Sequence, residues 1–191
     1  AGTQARAQLE AVATVRKIKE AKVFDPDTKK AESFAEAMEA KLGLSISVAS
    51  SPEKALKNAK IICCATTSRK PVFEDSAVEE GAHINAIGSY KPDVQEVPEE
   101  TVRRSYVVVD HLPSALAEAG DLIVPLKKGI VEKDHIKAEI GEIVAGAKPA
   151  RTDPRQITLF KSVGVAIQDA QAAALVYQRA VKSGKGKAFE L

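Results

Sequence analysis

The sequence is poor in the residues that build metal centres, disulfide frameworks and membrane spans. Its 191 residues include no tryptophan, one methionine, two cysteines and three histidines. The histidines His83, His111 and His135 are far apart, and no His-Glu-x-x-His or Cys-x-x-Cys spacing occurs, so we expect no metal site. No apolar run approaches the ~20 residues of a membrane-spanning helix.

The two cysteines, Cys63 and Cys64, are neighbours within an apolar run. Neighbouring side chains of a strand point to opposite faces, so these two are poorly placed to form a disulfide with each other. We expect two small buried residues in a protein of the reducing cytoplasm.

The sequence also has little excess charge of either sign: 28 Lys and Arg residues and 26 Asp and Glu residues give a net charge of +2. Such a chain has no long-range attraction for nucleic acid or for a membrane surface. A Gly-x-Ser-x-Gly motif is absent as well, which argues against a serine hydrolase. The chain is long enough for one domain with its own core.

What the sequence contains is an alternation of strand and helix patterns. Strands are predicted at 18–25, 44–48, 61–65, 83–87, 106–110 and 157–160, and helices at 4–16, 28–42, 98–104, 112–120, 132–146 and 163–183. The strands are short, apolar and rich in Val and Ile, which is typical of a parallel sheet covered on both faces. We predict an α/β fold with a doubly wound, mostly parallel sheet: a dinucleotide-binding domain at 1–160 and a long C-terminal helix within 161–191. The wide apolar face of that helix predicts burial against the sheet or against another subunit.

Residues 2–6, Gly-Thr-Gln-Ala-Arg, have the pattern of the second half of a Gly-x-Gly-x-x-Gly/Ala phosphate loop that opens a helix. Gly2 is expected to let the backbone touch a pyrophosphate, and Ala5 to let the helix pack on a strand. The first glycine and first strand of such a unit are not in the sequence. We therefore expect a part of a longer protein, inactive without the rest.

Asp25 lies roughly 20 residues past this loop, at the end of a predicted strand. A carboxylate here hydrogen-bonds the ribose hydroxyls of NAD and repels the additional phosphate of NADP. Pro26 and Asp27 follow it, with no arginine to receive that phosphate, so NAD is the expected cofactor. The alternative is that Asp25 only begins a turn before Pro26.

Ligands of an open parallel sheet bind at the carboxyl ends of its strands. The residues at those predicted ends are polar or glycine and predict a rim for a nucleotide: Asp25, Thr66, Thr67, Ser68, Asn85, Gly88, Ser89 and Asp110. Lys161, just after the last predicted strand, is expected either beside a phosphate or in solvent.

Together these segments resemble the ornithine cyclodeaminase/mu-crystallin family, with its related archaeal alanine dehydrogenases and imine reductases. The resemblance covers essentially the whole chain and rests on residues 2–6, 65–68 with Pro71, 84–88, 139–142 with Gly146, and 160–164 with Asp169. It implies a Rossmann domain, a homodimer, and a preceding substrate and dimerisation domain toward which the last helix returns. This sequence lacks that domain.

The resemblance also implies roles for individual residues. Those implied to bind the cofactor are Gly2, Thr3 and Gln4 at the pyrophosphate, Asp25 at the ribose, and Thr66, Asn85, Ala86, Ile87 and Gly88 along the nicotinamide half. Ser162 is implied to close over the nicotinamide, and Val163 to face the substrate.

The resemblance also implies that the general-base aspartate of the cyclodeaminases has no counterpart in this sequence. The aligned residues are Ser89 and Tyr90, and the nearest acid is Asp93. We therefore expect an NAD(H)-dependent oxidoreductase acting on an amino acid or its cyclic imine, with Tyr90 as a hypothetical proton donor. Two alternatives stay open: an ornithine cyclodeaminase that gives proline and ammonia with catalytic NAD, and a nucleotide-binding, crystallin-like protein without catalysis.

Overall fold

The computed structural model describes residues 1–187 and 189. Its helices are α1 (Thr3–Val15), α2 (Thr28–Leu42), α3 (Pro52–Leu56), α4 (Glu99–Arg103), α5 (Leu112–Glu118), α6 (Gly120–Lys127), α7 (Ile140–Val144) and α8 (Ala166–Lys182). Its strands are β1 (Glu20–Val23), β2 (Ser45–Val48), β3 (Ile61–Cys64), β4 (His83–Ala86), β5 (Ser105–Val109), β6 (Ile136–Glu139) and β7 (Ile157–Lys161). The division into 1–160 and 161–191 stays a prediction, and residues 188, 190 and 191 lie outside the described residues.

The described strands form two sheets in which every neighbouring pair is parallel. β1 pairs with β2, and the other five strands follow the order β3-β4-β7-β5-β6. A cavity of about 410 Å³ is lined by α1 together with the free edges of β1 and β3. The predicted α/β fold with parallel strands is confirmed.

Local sequence signals set both ends of helix α2. The Asp27 carboxylate accepts a hydrogen bond from the Lys30 amide and so caps the start of α2. Gly43 ends the same helix with φ of +64°, a left-handed conformation that favours glycine. Phe34 and Met38 on its inner face pack against the two-stranded sheet. The predicted bounds of α2 are confirmed.

The larger core lies on one face of the five-stranded sheet. Ile84 of β4, Val107 of β5 and Leu159 of β7 are fully buried there and pack against α4 and α6. Because side chains alternate along a strand, His83 and Asn85 of β4 lie on the opposite face. The two faces of this sheet therefore differ, one being apolar and one carrying polar groups.

The prediction of a helix at 132–146 is wrong over its first half. Ile136 and Ala138 alternate with Lys137 and Glu139, and this stretch forms β6, paired with β5. Pairing with a neighbouring strand outweighs the helix propensity of these residues. The helix predicted at 112–120 ends at Glu118, and a second helix, α6, begins at Gly120.

The prediction that the last helix is buried against the sheet is also wrong. Helix α8, described over its full length, has no buried residue. Val176 and Tyr177 keep 67% and 71% of their surface exposed. Burial against another subunit stays a prediction.

Candidate dinucleotide-binding site

The beginning of α1 and the end of β1 meet at Asp25. The backbone nitrogen of Ala1 donates a hydrogen bond of 2.9 Å to Oδ2 of Asp25, and the Asp27 amide donates one of 2.9 Å to Oδ1. Asp25 therefore does begin a turn, and it also lies beside the predicted phosphate loop.

Open space surrounds the N-terminus of α1 at Gly2. Its φ of −95° and ψ of −172° are accessible to any residue, and an added Cβ would meet no described atom within 4 Å. No side chain of the described residues caps this helix. The first amides of a helix lack acceptors within it and carry partial positive charge. This end of α1, with Thr3 and Gln4 exposed, fits a pyrophosphate.

Glu96 joins the loops that follow β3 and β4. Its side chain is fully buried, and Oε1 accepts a 2.5 Å hydrogen bond from the Thr66 amide. Oε2 accepts hydrogen bonds of 2.6 Å from the Gly88 amide and 3.0 Å from the Ser89 amide. Sequence patterns do not single out Glu96; the available signal is an acidic residue that lies between the apolar residues Val94 and Val97.

Residue 88 has to be a glycine because Thr66 and Glu96 approach its backbone closely. Its φ is not in the left-handed region, yet a Cβ there would overlap the carbonyl oxygen of Thr66 and both carboxylate oxygens of Glu96. A residue without a side chain therefore lets the two strand-end loops come together. Thr66 and Gly88, both predicted to line the nicotinamide half, are brought side by side.

The other predicted residues near the end of β4 lie in three different settings. Ala86 is fully buried in the core, and Ile87 donates its amide hydrogen to the Cys64 carbonyl. The Asn85 side chain lies on the opposite sheet face, 3.1 Å from Nε2 of His83. Any contact of Ala86 with a cofactor would have to come from its backbone.

Asp110 joins the ends of β5 and β7. Its Oδ2 accepts hydrogen bonds of 2.7 Å from the Ser162 hydroxyl, 2.9 Å from the Val163 amide and 2.8 Å from the Gly164 amide. Ser162 is predicted at the nicotinamide and Val163 at the substrate. Asp110, a residue of the predicted rim, therefore holds the loop that carries them. Gly164 has φ of +86°, which favours glycine.

Two further residues of the predicted chemistry differ in accessibility. Ser89 is buried, and its hydroxyl donates a 2.5 Å hydrogen bond to the Val94 carbonyl, so it serves the loop's own structure. Tyr90 is 57% exposed, with the Lys91 ammonium 5.8 Å from its ring centroid. Of the two residues aligned with the general base, Tyr90 alone is exposed.

Two expectations about buried and exposed residues are corrected. Lys161 is neither in solvent nor at the protein surface, because its side chain is fully buried at the end of β7. Cys63 is exposed, since it lies on β3 beside the cavity, whereas Cys64 is buried. Burial raises the pKa of the Cys64 thiol well above its usual value, and the neighbouring Glu96 and Asp121 carboxylates add to this while Lys161 opposes it.

The cavity beside β3 is lined by apolar side chains of α1, β1 and β3, such as Leu9, Val23 and Ile61. Five lysines also line it: Lys17, Lys19, Lys22, Lys57 and Lys60. Within the described part of the chain, no three His, Cys, Asp or Glu residues are grouped so that they could hold a metal ion. No described helix combines the length and apolar character needed to cross a membrane.

The model of the ornithine cyclodeaminase/mu-crystallin family matches residues 1–184. The chain belongs to this family. The resemblance proposed from the motifs is thereby confirmed for nearly the whole chain. Members of the ornithine cyclodeaminase/mu-crystallin family are also similar to it in structure.

A Δ1-pyrroline-2-carboxylate reductase of Thermococcus litoralis, solved in complex with NADH and L-proline, is 46% identical, with a TM-score of 0.96 over 99% of this chain and 58% of that one. An archaeal alanine dehydrogenase dimer with bound NAD is 39% identical, with a TM-score of 0.91 over 100% of this chain and 58% of that one. A Δ1-pyrroline-2-carboxylate reductase of Bacillus cereus is 37% identical over 190 residues, or 99% of this chain and 58% of that protein. The chain therefore spans rather more than half the length of these family members.

Proposed function

We propose that the protein containing this chain is an NAD(H)-dependent oxidoreductase that acts at the α-carbon of an amino acid or its cyclic imine. One observation carries this proposal: the open N-terminus of α1 lies directly beside the half-buried Asp25. An anion-binding helix end next to a ribose-binding carboxylate is the arrangement that a dinucleotide requires. The complex of the Thermococcus relative with NADH and L-proline supports it.

In this proposal the chain's residues bind and orient the cofactor. Gly2, Thr3 and Gln4 take the pyrophosphate, and Asp25 takes the ribose and discriminates against NADP. Thr66, Asn85, Ala86, Ile87 and Gly88 line the nicotinamide half, with the backbone contributing at Ala86, and Ser162 closes it beside Val163 at the substrate. When bound, NADH supplies a hydride to the imine carbon while a proton is added to the nitrogen, giving the amine and NAD⁺.

Reduction is favoured over cyclodeamination because no carboxylate stands at the aligned base position. Ser89 is buried and already hydrogen-bonded, and the exposed Tyr90 is proposed as the proton donor. Tyr90→Phe is expected to lower kcat and leave NADH affinity unchanged. An unchanged kcat would exclude Tyr90 from proton transfer.

The reaction is tested with the whole protein that contains this chain. We expect one NADH to be consumed for each Δ1-pyrroline-2-carboxylate reduced, followed by NADH absorbance and by amine analysis. Release of ammonia from ornithine without net consumption of NADH would instead establish the cyclodeaminase alternative. NADH binding without turnover of imines, alanine or ornithine would favour the non-catalytic alternative.

We also propose that the protein is a homodimer of the cytoplasm. The apolar residues exposed along α8, among them Ile167, Val176 and Tyr177, need a covering surface, and a second subunit or its substrate domain supplies one. The free, exposed thiol of Cys63 suits a reducing compartment. Light scattering of the whole protein tests the dimer, and a monomer at micromolar concentration would contradict it.

A further inference from the structure

A buried network of charged side chains lies beneath the predicted nicotinamide half of the site. Glu96, Asp121 and Lys161 are all fully buried. Oδ1 of Asp121 accepts hydrogen bonds of 2.7 Å from the Glu96 amide and 3.0 Å from the Val97 amide, and Oδ2 lies 3.3 Å from Nζ of Lys161. The network therefore runs from β7 through the first turn of α6 to the loop that carries Glu96.

The carboxylate of Glu96 points toward the two loops that follow β3 and β4 and contain Thr66 and Gly88. Its hydrogen bonds all come from backbone amides of Thr66, Gly88 and Ser89, so both oxygens act as acceptors and bridge the loops after β3 and β4. The nearby Gly88 lacks the Cβ that would overlap this carboxylate. One side chain thus sets the separation of two segments that are distant in sequence.

Burial of these groups is costly for stability alone. Moving a carboxylate or an ammonium out of water carries a penalty, and apolar residues of similar volume often stabilise such a site better. Among the described residues, Lys161 forms an ion pair with Asp121 and not with Glu96, so the buried Glu96 carboxylate has backbone amides and no cation as its partners. This arrangement is better explained by the need to hold loops in one geometry than by the need to fill a core.

We propose that Glu96, itself held by Asp121 and Lys161, is a positioning residue that fixes the Thr66 loop against the Gly88 loop and thereby orients the nicotinamide. This inference rests on the proposed function. Glu96 acts through the backbone of the loops and does not touch the reacting atoms. Replacing Glu96 removes none of the residues that are proposed to bind the cofactor, but it changes their positions relative to one another.

Glu96→Gln tests this in the whole protein, with Glu100→Gln as the matched control on an exposed glutamate paired with Arg103. Glutamine has one acceptor oxygen, and its NH₂ group would face an amide donor, so it cannot bridge both loops. We expect amide hydrogen exchange of Thr66, or of Gly88 and Ser89, to rise about tenfold or more, as for loss of a charge-assisted hydrogen bond. Exchange of the Ile84 amide in β4 is expected to stay unchanged.

Kinetics separate positioning from a merely structural role. In Glu96→Gln we expect kcat to fall by about 100-fold, because a misplacement near 1 Å has this effect, while the KM of the imine changes by less than about threefold. NADH affinity, measured by its fluorescence, is expected to fall as well. Glu100→Gln should match the wild type in all three measurements.

Unchanged exchange at all three amides in Glu96→Gln would overturn the inference, as would faster exchange with unchanged kcat and NADH affinity. If this variant does not fold, Glu96→Asp replaces it: the carboxylate is kept but is one methylene shorter, and protection is expected to be lost at one loop. Protection of both loops in Glu96→Asp, with wild-type NADH affinity, would also overturn it. A wild type that binds NADH without turnover contradicts the proposed function, and the inference is then judged by exchange and NADH affinity.

Discussion

The Nζ atom of Lys161 lies 3.3 Å from Oδ2 of Asp121, and neither side chain has any exposed surface. The approach is an ion pair without hydrogen-bond geometry, since neither atom has a hydrogen-bond partner among the described residues. In the strand register, Lys161 of β7 is paired with Ala86 of the neighbouring strand β4 and with Val109 of the neighbouring strand β5. The pair therefore ties the middle of the parallel sheet to the first turn of α6.

Breaking this pair on one side is expected to destabilise the protein strongly. Lys161→Met alone should lower the free energy of unfolding by about 3 to 5 kcal/mol, because it leaves the Asp121 carboxylate buried without its partner. The double variant Asp121→Asn, Lys161→Met should lose less than the sum of the single variants, measured by denaturant unfolding. Additive losses would show that the two groups are not coupled.

Gly88→Ala tests the close approach of the strand-end loops. The added Cβ would overlap Thr66 and Glu96, so we expect a loss of about 1 to 3 kcal/mol in the free energy of unfolding and weaker NADH binding. Gly141→Ala is the matched control, because a Cβ there meets no described atom within 4 Å in helix α7. It should be neutral or stabilise by up to about 1 kcal/mol. Equal behaviour of the two variants would contradict the steric argument.

Asp25→Ala tests the proposal that the Asp25 carboxylate binds the ribose. We expect the dissociation constant of NADH to rise about tenfold to 100-fold through loss of hydrogen bonds to a charged group, and the preference for NADH over NADPH to shrink. Asp27→Ala is the control, since Asp27 caps α2 and should cost about 0.5 to 2 kcal/mol of stability without changing cofactor preference. An unaltered NADH-to-NADPH ratio in Asp25→Ala would refute the assignment.

His83 is expected to make stability depend on pH. Burial lowers the pKa of His83, the charges of Arg151 and Arg16 lower it further, and the hydrogen bond to Asn85 opposes them. The unfolded state then binds more protons, so this contribution to stability is complete above about pH 6.5 and is lost as the pH falls toward the lower folded-state pKa. Denaturant unfolding should show a steeper loss on acidification for the wild type than for His83→Asn. Parallel curves would contradict this expectation.

Several features of the fold and site were predictable because their signals lie within a few residues of one another. The cap at Asp27 and the stop at Gly43 set the bounds of α2, and the apolar runs at 61–65 and 83–87 contain β3 and β4. The glycine loop and Asp25 are joined by one helix and one strand, so their meeting follows from the order of these elements. Strand β6 is not predicted because its alternation of apolar and charged residues spans only four positions, and pairing with β5 makes this short stretch a strand.

The sequence by itself determined the parallel α/β fold, the meeting of the glycine loop at Gly2 with Asp25, and membership of the family, since these depend on local patterns and their order. The tertiary structure alone decided how the strand-end loops are held. Glu96 reaches Thr66 across 30 residues, and Asp110 reaches Ser162 across 52. Such contacts depend on which strands become neighbours, and the sheet order β3-β4-β7-β5-β6 brings β7 between two strands that precede it in the chain. Burial of Lys161 and exposure of α8 follow from the same packing, so no pattern of neighbouring residues could predict them.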